Sequence, residues 1–247
     1  MGDIAVASGR EAAPEAAQPL DYYLVLAEGG PAARPDGLVV EEFVLAEDHS
    51  ALALASAGWG PSDDRWWSSA ALSRTMRTDP ELRARVVPVD RDDAGDVYRR
   101  LGGGELPDEE TLRTHFSDQA RLADSAPLWL GTEAPPDGYR EKRVYRVLFA
   151  KELTAPRLAD LSALWGLEPA GDVRDPGTRV VGTARRARDG DLFTWDLRRI
   201  GEDIAWCLDV TAYLATGPGH SIGHLLSELR AAMRRQGLIP VTIERFA

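Results

Sequence analysis

The sequence contains a single cysteine, Cys207, among its 247 residues, so it cannot form an intramolecular disulfide. It has no stretch of the roughly 18 consecutive apolar residues that a membrane-spanning helix needs, which argues against an integral membrane protein. The first 20 residues lack the basic start and continuous apolar core of a secretory signal. Together these absences predict a cytoplasmic protein.

Lysine is nearly absent, because only Lys142 and Lys151 occur among 29 basic residues. The other basic residues are arginines, and Ala, Gly and Asp are frequent, which is typical of a GC-rich bacterial genome. This bias means that an individual arginine is weak evidence of function. The overall composition, 44% hydrophobic and 28% charged, is that of an ordinary globular chain.

The charge is acidic overall and unevenly distributed. The formal net charge is −11, and residues 1–138 hold 26 acidic and 12 basic side chains, whereas residues 139–247 hold 14 and 17. A negative field repels a phosphate backbone, so this balance disfavours nucleic acid as a partner. The opposite signs predict two modules that dock on each other through a contact that salt weakens.

Composition also predicts the domain boundaries. Residues 1–20 are rich in Ala, Glu and Pro and are expected to form a disordered tail. Residues 21–130 are expected to form an acidic α/β module, and the Gly and Pro residues of 131–138 indicate a linker. Residues 139–247 form the second predicted module.

The second module has the clearer pattern, in the order β-α-β-β-β-α-β. Asp189 and Gly190 supply the positive φ angles of a tight hairpin turn. Ile222, Leu225 and Leu229 are spaced as on one face of a helix. The order resembles the ferredoxin-like pattern with one additional strand, and it implies an antiparallel sheet with two helices on one face. The sequence therefore predicts an α+β fold, with one sheet face left open to a partner.

The first module is predicted to contain strands at residues 22–27, 38–46 and 86–89, while residues 50–57 fit a strand or a helical turn. Ser62 is expected to begin a helix that runs through Met76. Asp79 and Pro80 have the pattern of a second helix start, and further helices are predicted at residues 93–101 and 108–123.

Trp59, Trp66 and Trp67 stand close together between glycines and a proline. On the predicted helix, Trp66 and Trp67 point about 100° apart, so both cannot face one core. Exposed tryptophans are frequent binding hot spots, and buried ones are simply core. We therefore predict a contact surface at this cluster, with core packing as the alternative.

Arg186, Arg188 and Arg198 lie around the predicted hairpin, with Trp195 between them in the sequence. Arginines interleaved with aromatic residues on a sheet are typical of single-stranded nucleic-acid binding. An acidic protein surface is a second possible partner, and a solvated strand face is the plainest interpretation.

His220 and His224 are four residues apart at the start of the last predicted helix, with Glu228 one turn further. That spacing places two imidazoles on one helix face, where they can share a metal ion. No His-Glu-x-x-His motif and no paired cysteines supply the remaining ligands, so solvent-exposed side chains are the stronger interpretation, and the sequence indicates no cofactor.

The sequence contains no motif that assigns a reaction. The expected function is a non-catalytic protein-interaction or regulatory factor, whose partner is another protein or a second copy of the chain. The alternative is a small-molecule-binding protein or enzyme with a pocket between the two modules.

Overall fold

A computed structural model describes residues 18–29, 34–122, 134–171, 178–201, 205–215 and 220–246. Residues 1–17 of the predicted tail and 131–133 of the predicted linker lie outside these described residues. The described chain has an α+β fold with two antiparallel sheets and six helices. None of its helices is both long and apolar enough to cross a membrane.

The first sheet is formed by the acidic half of the chain. Its six described strands are β1 (Asp21–Leu26), β2 (Pro35–Leu45), β3 (Ala51–Trp59), β4 (Trp67–Ser68), β5 (Val86–Val89) and β6 (Gln119–Arg121). The strand order is β4-β3-β2-β1-β5, and β6 also pairs with β3. Residues 50–57, for which the sequence left two possibilities, thus belong mostly to a strand.

The helices are shorter in the first half than in the second. They are α1 (Ala70–Thr78), α2 (Pro80–Arg85), α3 (Arg91–Arg100), α4 (Glu109–Arg113), α5 (Ala155–Trp165) and α6 (His220–Arg235). The carboxylate of Asp79 accepts hydrogen bonds from the backbone N–H groups of Glu81 and Leu82, at 2.8 and 3.3 Å. This cap, with Pro80 in the first turn, confirms the predicted start of α2.

Two helix predictions in the first half are wrong. Ser62 begins no helix, because the carboxylate of Asp63 binds the Gly60 backbone N–H and the Trp67 indole N–H, both at 2.8 Å. These bonds hold the segment in a turn that leads into β4. The helix predicted at residues 108–123 ends at Arg113, and its last part forms β6, since pairing with β3 overrides the local helical pattern.

The second sheet is formed by the other half of the chain. Its strands are β7 (Glu141–Ala150), β8 (Glu168–Pro169), β9 (Val180–Arg188), β10 (Asp191–Ile200), β11 (Ala205–Leu214) and β12 (Ile239–Arg245), in the order β12-β7-β11-β10-β9-β8. The short β8 was not predicted. Asp189 and Gly190 join β9 to β10 with φ angles of 54° and 87°, which confirms the predicted turn.

Helix α6 lies between the two sheets. Its residues Leu225 and Leu229 belong to one buried cluster with Phe43 of the first sheet and with Tyr145 and Trp206 of the second. The opposite face of the first sheet packs on α3 and α4. One buried hydrophobic cluster therefore extends through both halves of the chain.

Buried ion pairs also connect the halves. Arg234 on α6 approaches the carboxylate of Asp21 on β1 at 2.9 Å, and Arg230 approaches it at 3.6 Å. Beside them, Arg77 pairs with Glu41 and donates from Nε to the carbonyl of Pro240 at 2.7 Å. Acidic side chains of the first half thus meet arginines of the second half inside the protein.

Candidate functional site

The arginines predicted around the hairpin are divided between two faces of the second sheet. Arg186 and Arg188 lie two residues apart on β9, so they share one face of the sheet. On that face both donate hydrogen bonds to Glu228 of α6. Arg198 lies on the outer face, where it pairs with Asp209 at 2.8 Å. Strand alternation, which places neighbouring residues on opposite faces, accounts for the division.

A groove of about 370 Å³ separates α5 from α6 on the inner side of the second sheet. Apolar contributions to its lining come from Leu164, Trp165, Leu229, Ala231 and Ala232. Leu164 is 56% exposed, and it adds an accessible apolar side chain to the edge of this apolar lining. We call this feature the α5–α6 groove.

Trp195, which the sequence suggested as a binding residue, packs beneath the groove against residues that line it. It is buried, and its ring meets that of Trp165 edge to face, with centroids 6.1 Å apart. The guanidinium of Arg186 lies 5.7 Å from the centre of the Trp195 ring. Trp195 therefore positions two residues that line the α5–α6 groove and does not itself reach the surface.

Charged side chains surround the apolar lining. The carboxylate of Glu228 accepts hydrogen bonds from Arg186 and Arg188, each at 2.8 Å. Arg235 lines the same groove from the end of α6. The rim thus carries Arg186, Arg235 and Glu228, while Arg188, which also pairs with Asp189 at 3.6 Å, lies beside it. Exposed ion pairs of this kind contribute at most about 1 kcal/mol to stability, so they are available for rearrangement.

The predicted metal ligands lie near this rim. His224 is exposed one turn before Glu228, and the carboxylate of Glu228 is already bound by two arginines. His220 is the first residue of α6, and its side chain lies outside the described part of the structure. No group of three or more His, Cys, Asp or Glu side chains among the described residues has the arrangement of a metal site.

The three predicted tryptophans separate into core and surface. Trp59 and Trp66 are buried against Tyr98, with ring centroids 4.5 and 5.6 Å from it. Trp67 is 40% exposed and lines a cavity of about 320 Å³. Trp66 and Trp67 point apart because the chain is extended at β4, not because it is helical.

The outer face of the second sheet carries a charged cluster. Asp209 accepts hydrogen bonds from Arg146 at 2.6 and 2.8 Å and from Arg198 at 2.8 Å. Burial opposes ionisation of Asp209, but these bonds outweigh it and hold its pKa below the ordinary value. The neighbouring Cys207 is buried, and burial, reinforced by Asp209, raises its thiol pKa to about 11. Cys207 therefore remains a thiol at neutral pH and lacks the activation of a nucleophile.

A third cavity, of about 290 Å³, lies between the two halves of the chain. The start of α3 contributes Asp90 and Asp93, and the end of α6 contributes Arg234 and Arg235. This cavity therefore brings aspartates of the first half and arginines of the second half to one place.

Sequence reasoning did not single out Leu164, Trp165 or Asp63. A signal for the first two was present, since α5 contains only two charged residues among its eleven, Arg157 and Asp160. A surface helix normally has a charged outer face. The hydrogen bond from Trp67 to Asp63 had no such signal, because it depends on the turn that replaced the predicted helix.

These features define a two-sheet α+β protein with an apolar groove between two helices. Comparison with known proteins found no match to this chain among protein-family models, curated proteins or solved structures.

Proposed function

We propose that this protein is a non-catalytic interaction factor that binds an acidic protein partner in the α5–α6 groove. The observation that carries the proposal is the groove itself, about 370 Å³ in volume, with the exposed Leu164 at its edge and arginines around it. Protein interfaces commonly have an apolar centre and a polar rim.

The charge of the rim specifies the partner. Among the residues that line the groove, Arg186 and Arg235 outnumber Glu228, so the lining has a net positive charge. A segment with one or two apolar side chains flanked by carboxylates would fill the groove and pair with the arginines. A preference for an acidic partner also agrees with the excess of basic over acidic side chains in residues 139–247.

Photo-crosslinking in living cells tests this proposal. A photoreactive phenylalanine analogue replaces Leu164, and a matched variant carries it at Ala159, which is also exposed on α5 but about 140° around the helix. We expect a discrete adduct from position 164 and none from position 159. The adduct should decrease at least about tenfold when Arg235→Glu is added, because the reversed charge repels an acidic partner.

Equal adducts at both positions, or none at position 164, would refute the groove as a docking site. An adduct that survives Arg235→Glu would refute the acidic character of the partner. Circular dichroism of each variant establishes that the fold is retained.

A second candidate function rests on the cavity between the halves. Arginines and aspartates meet there across about 290 Å³, which suits a small polar metabolite. Thermal-shift screening against metabolites tests it, and stabilisation that disappears in Asp93→Ala, a position that lines this cavity and not the α5–α6 groove, would favour this function over the first.

We also propose that the second sheet is an extended variant of the ferredoxin-like pattern. In support, the last strand, β12, lies beside the first, β7, and β11 lies on the other side of β7. The strands β8 to β11 then follow as a meander. We also propose, as the sequence led us to expect, that the protein is located in the cytoplasm.

A further inference from the structure

The cavity beside Trp67 has a chemical character different from that of the α5–α6 groove. It has a volume of about 320 Å³ and lies where β2, β3 and the turn before β4 meet. Its described lining includes Val25 and Leu72, the tryptophans Trp59 and Trp67, and the aspartates Asp36 and Asp63. That lining contains two carboxylates, two tryptophans and no basic residue.

The ring of Trp67 is held in a fixed orientation. Its indole N–H donates to the carboxylate of Asp63 at 2.8 Å. Its six-membered ring lies against the backbone of Gly58, where a Cβ atom would stand only 2.7 Å from the ring. Only glycine at that position lets the indole lie so close to β3. The hydrogen bond to Asp63 and the contact with Gly58 thus hold the exposed Trp67 ring in place before any ligand binds. We call this ring the aromatic wall of the cavity.

The carboxylates give the cavity a negative potential. One carboxylate oxygen of Asp63 accepts hydrogen bonds from two neutral donors, the Gly60 backbone N–H and the Trp67 indole N–H. Within the described chain, neither Asp63 nor Asp36 forms an ion pair with an arginine or lysine. The surrounding half of the molecule is itself strongly acidic. No ion pair among the described residues therefore neutralises the negative charge at this cavity.

We propose that this cavity binds an organic cation, an alkylammonium or guanidinium group, against the face of Trp67. An aromatic face attracts a cation by its quadrupole, most strongly when the ring is that of tryptophan. Val25 and Leu72, which pack against the same buried cluster, accommodate the alkyl part of such a ligand, and the carboxylates balance its charge. A bare metal ion fits less well, since indole rings and aliphatic side chains supply it with no ligands.

The cation has two possible sources, a free small molecule or the side chain of a basic peptide. Isothermal titration of the full-length chain with choline, with N-acetyl-arginine amide and with 3,3-dimethylbutan-1-ol separates the cases. The last compound has nearly the shape of choline but no charge. We expect at least one of the two cations to bind, and the neutral compound to bind at least tenfold more weakly.

Variants of the aromatic wall show whether the binding occurs in this cavity. Trp67→Leu keeps an apolar side chain and removes the π face, so we expect at least a tenfold loss of affinity. Trp67→Phe retains a ring and should recover part of that affinity. Asp36→Asn should weaken binding severalfold, and Leu52→Ala, an exposed position on β3 outside the cavity, should have no effect.

Binding by choline alone identifies a free ammonium compound as the ligand class, and binding by the arginine derivative alone identifies a basic side chain. The proposal is overturned if neither cation binds. It is also overturned if the neutral compound binds equally well, or if Trp67→Leu binds the cation with unchanged affinity while its thermal unfolding shows a retained fold.

Discussion

Asp209 shows how a single side chain on the outer face of the second sheet contributes to stability. Its carboxylate lies between the guanidinium groups of Arg146 and Arg198, which come from the neighbouring strands β7 and β10. Strand alternation places Asp209 on the face of β11 opposite the buried Leu208 and Val210. The sequence contained no indication that two arginines, 63 and 11 residues away, would bind the same carboxylate.

The lowered pKa of Asp209 gives a prediction for acid unfolding. Because the folded-state pKa lies below the unfolded value of about 3.9, the stabilisation is present above that value. It is lost as the pH falls through the folded-state pKa. We expect Asp209→Asn to lower the free energy of unfolding at neutral pH by about 1–3 kcal/mol. This difference from the wild type should shrink steadily below about pH 4.

Urea unfolding at a series of pH values measures this difference. Asp160→Asn, which removes an exposed carboxylate from α5, provides the baseline for the loss of one negative charge. A difference between the wild type and Asp209→Asn that stays constant down to about pH 2 would contradict the linkage argument.

At the scale of elements, turn chemistry was the most reliable sequence signal. Gly190 has a φ of 87°, in the left-handed region that other residues rarely adopt. Gly95 lies inside α3, where an added Cβ would meet nothing closer than Leu106 at 3.8 Å. Replacement by alanine is therefore expected to change the stability of the protein in opposite directions at these two glycines.

We expect Gly190→Ala to destabilise the protein by about 1 kcal/mol or more, because alanine is strained in the left-handed region. Gly95→Ala should stabilise it by about 0.5–1 kcal/mol, since alanine reduces the entropy of the unfolded chain and fits the helix. Denaturant unfolding of both variants measures the two effects. Effects of the same sign would contradict either the left-handed conformation of Gly190 or the helical conformation of Gly95.

The helix predictions failed where tertiary pairing competed with local pattern. Residues 108–123 have a helical spacing of apolar side chains, yet Gln119–Arg121 add a strand to the edge of β3. Pairing with a strand more than 60 residues earlier cannot be read from a local window. By contrast, α6 was predicted well, because its apolar stripe faces both sheets and its periodicity is strong.

At the scale of the whole molecule, the uneven charge has a structural counterpart. The sequence predicted that the halves dock through opposite charges in a contact that salt weakens. Charges do meet there, since Arg234 pairs with Asp21, but both side chains are at least 89% buried within a shared core. Salt screens buried pairs far less than exposed ones, so we now expect the contact to be nearly insensitive to salt.

Removing one partner of this pair provides the test. We expect Arg234→Met to lower the free energy of unfolding by about 3 kcal/mol, because the carboxylate of Asp21 keeps only the more distant Arg230. The double variant Asp21→Asn/Arg234→Met should regain much of that loss. Arg186→Met breaks an exposed pair with Glu228 and should change stability by less than about 1 kcal/mol.

Unfolding followed by tryptophan fluorescence and by circular dichroism at low and high salt measures these differences. One shared transition with a salt-independent loss in Arg234→Met would support a continuous core. Separate transitions for the two halves, moving apart as salt increases, would instead support the original expectation of docked modules.

The sequence by itself determined the α+β class, the strands of the second sheet other than β8, the hairpin at Asp189 and Gly190, and the buried face of α6. These features depend on periodicity and turn chemistry, which act over a few residues. Only the tertiary structure decided that Arg186 and Arg198 lie on opposite faces, that Leu164 borders a groove and that Trp67 faces a cavity with Asp36 and Asp63. Those arrangements depend on contacts between residues far apart in the chain, and such contacts form only when the elements pack.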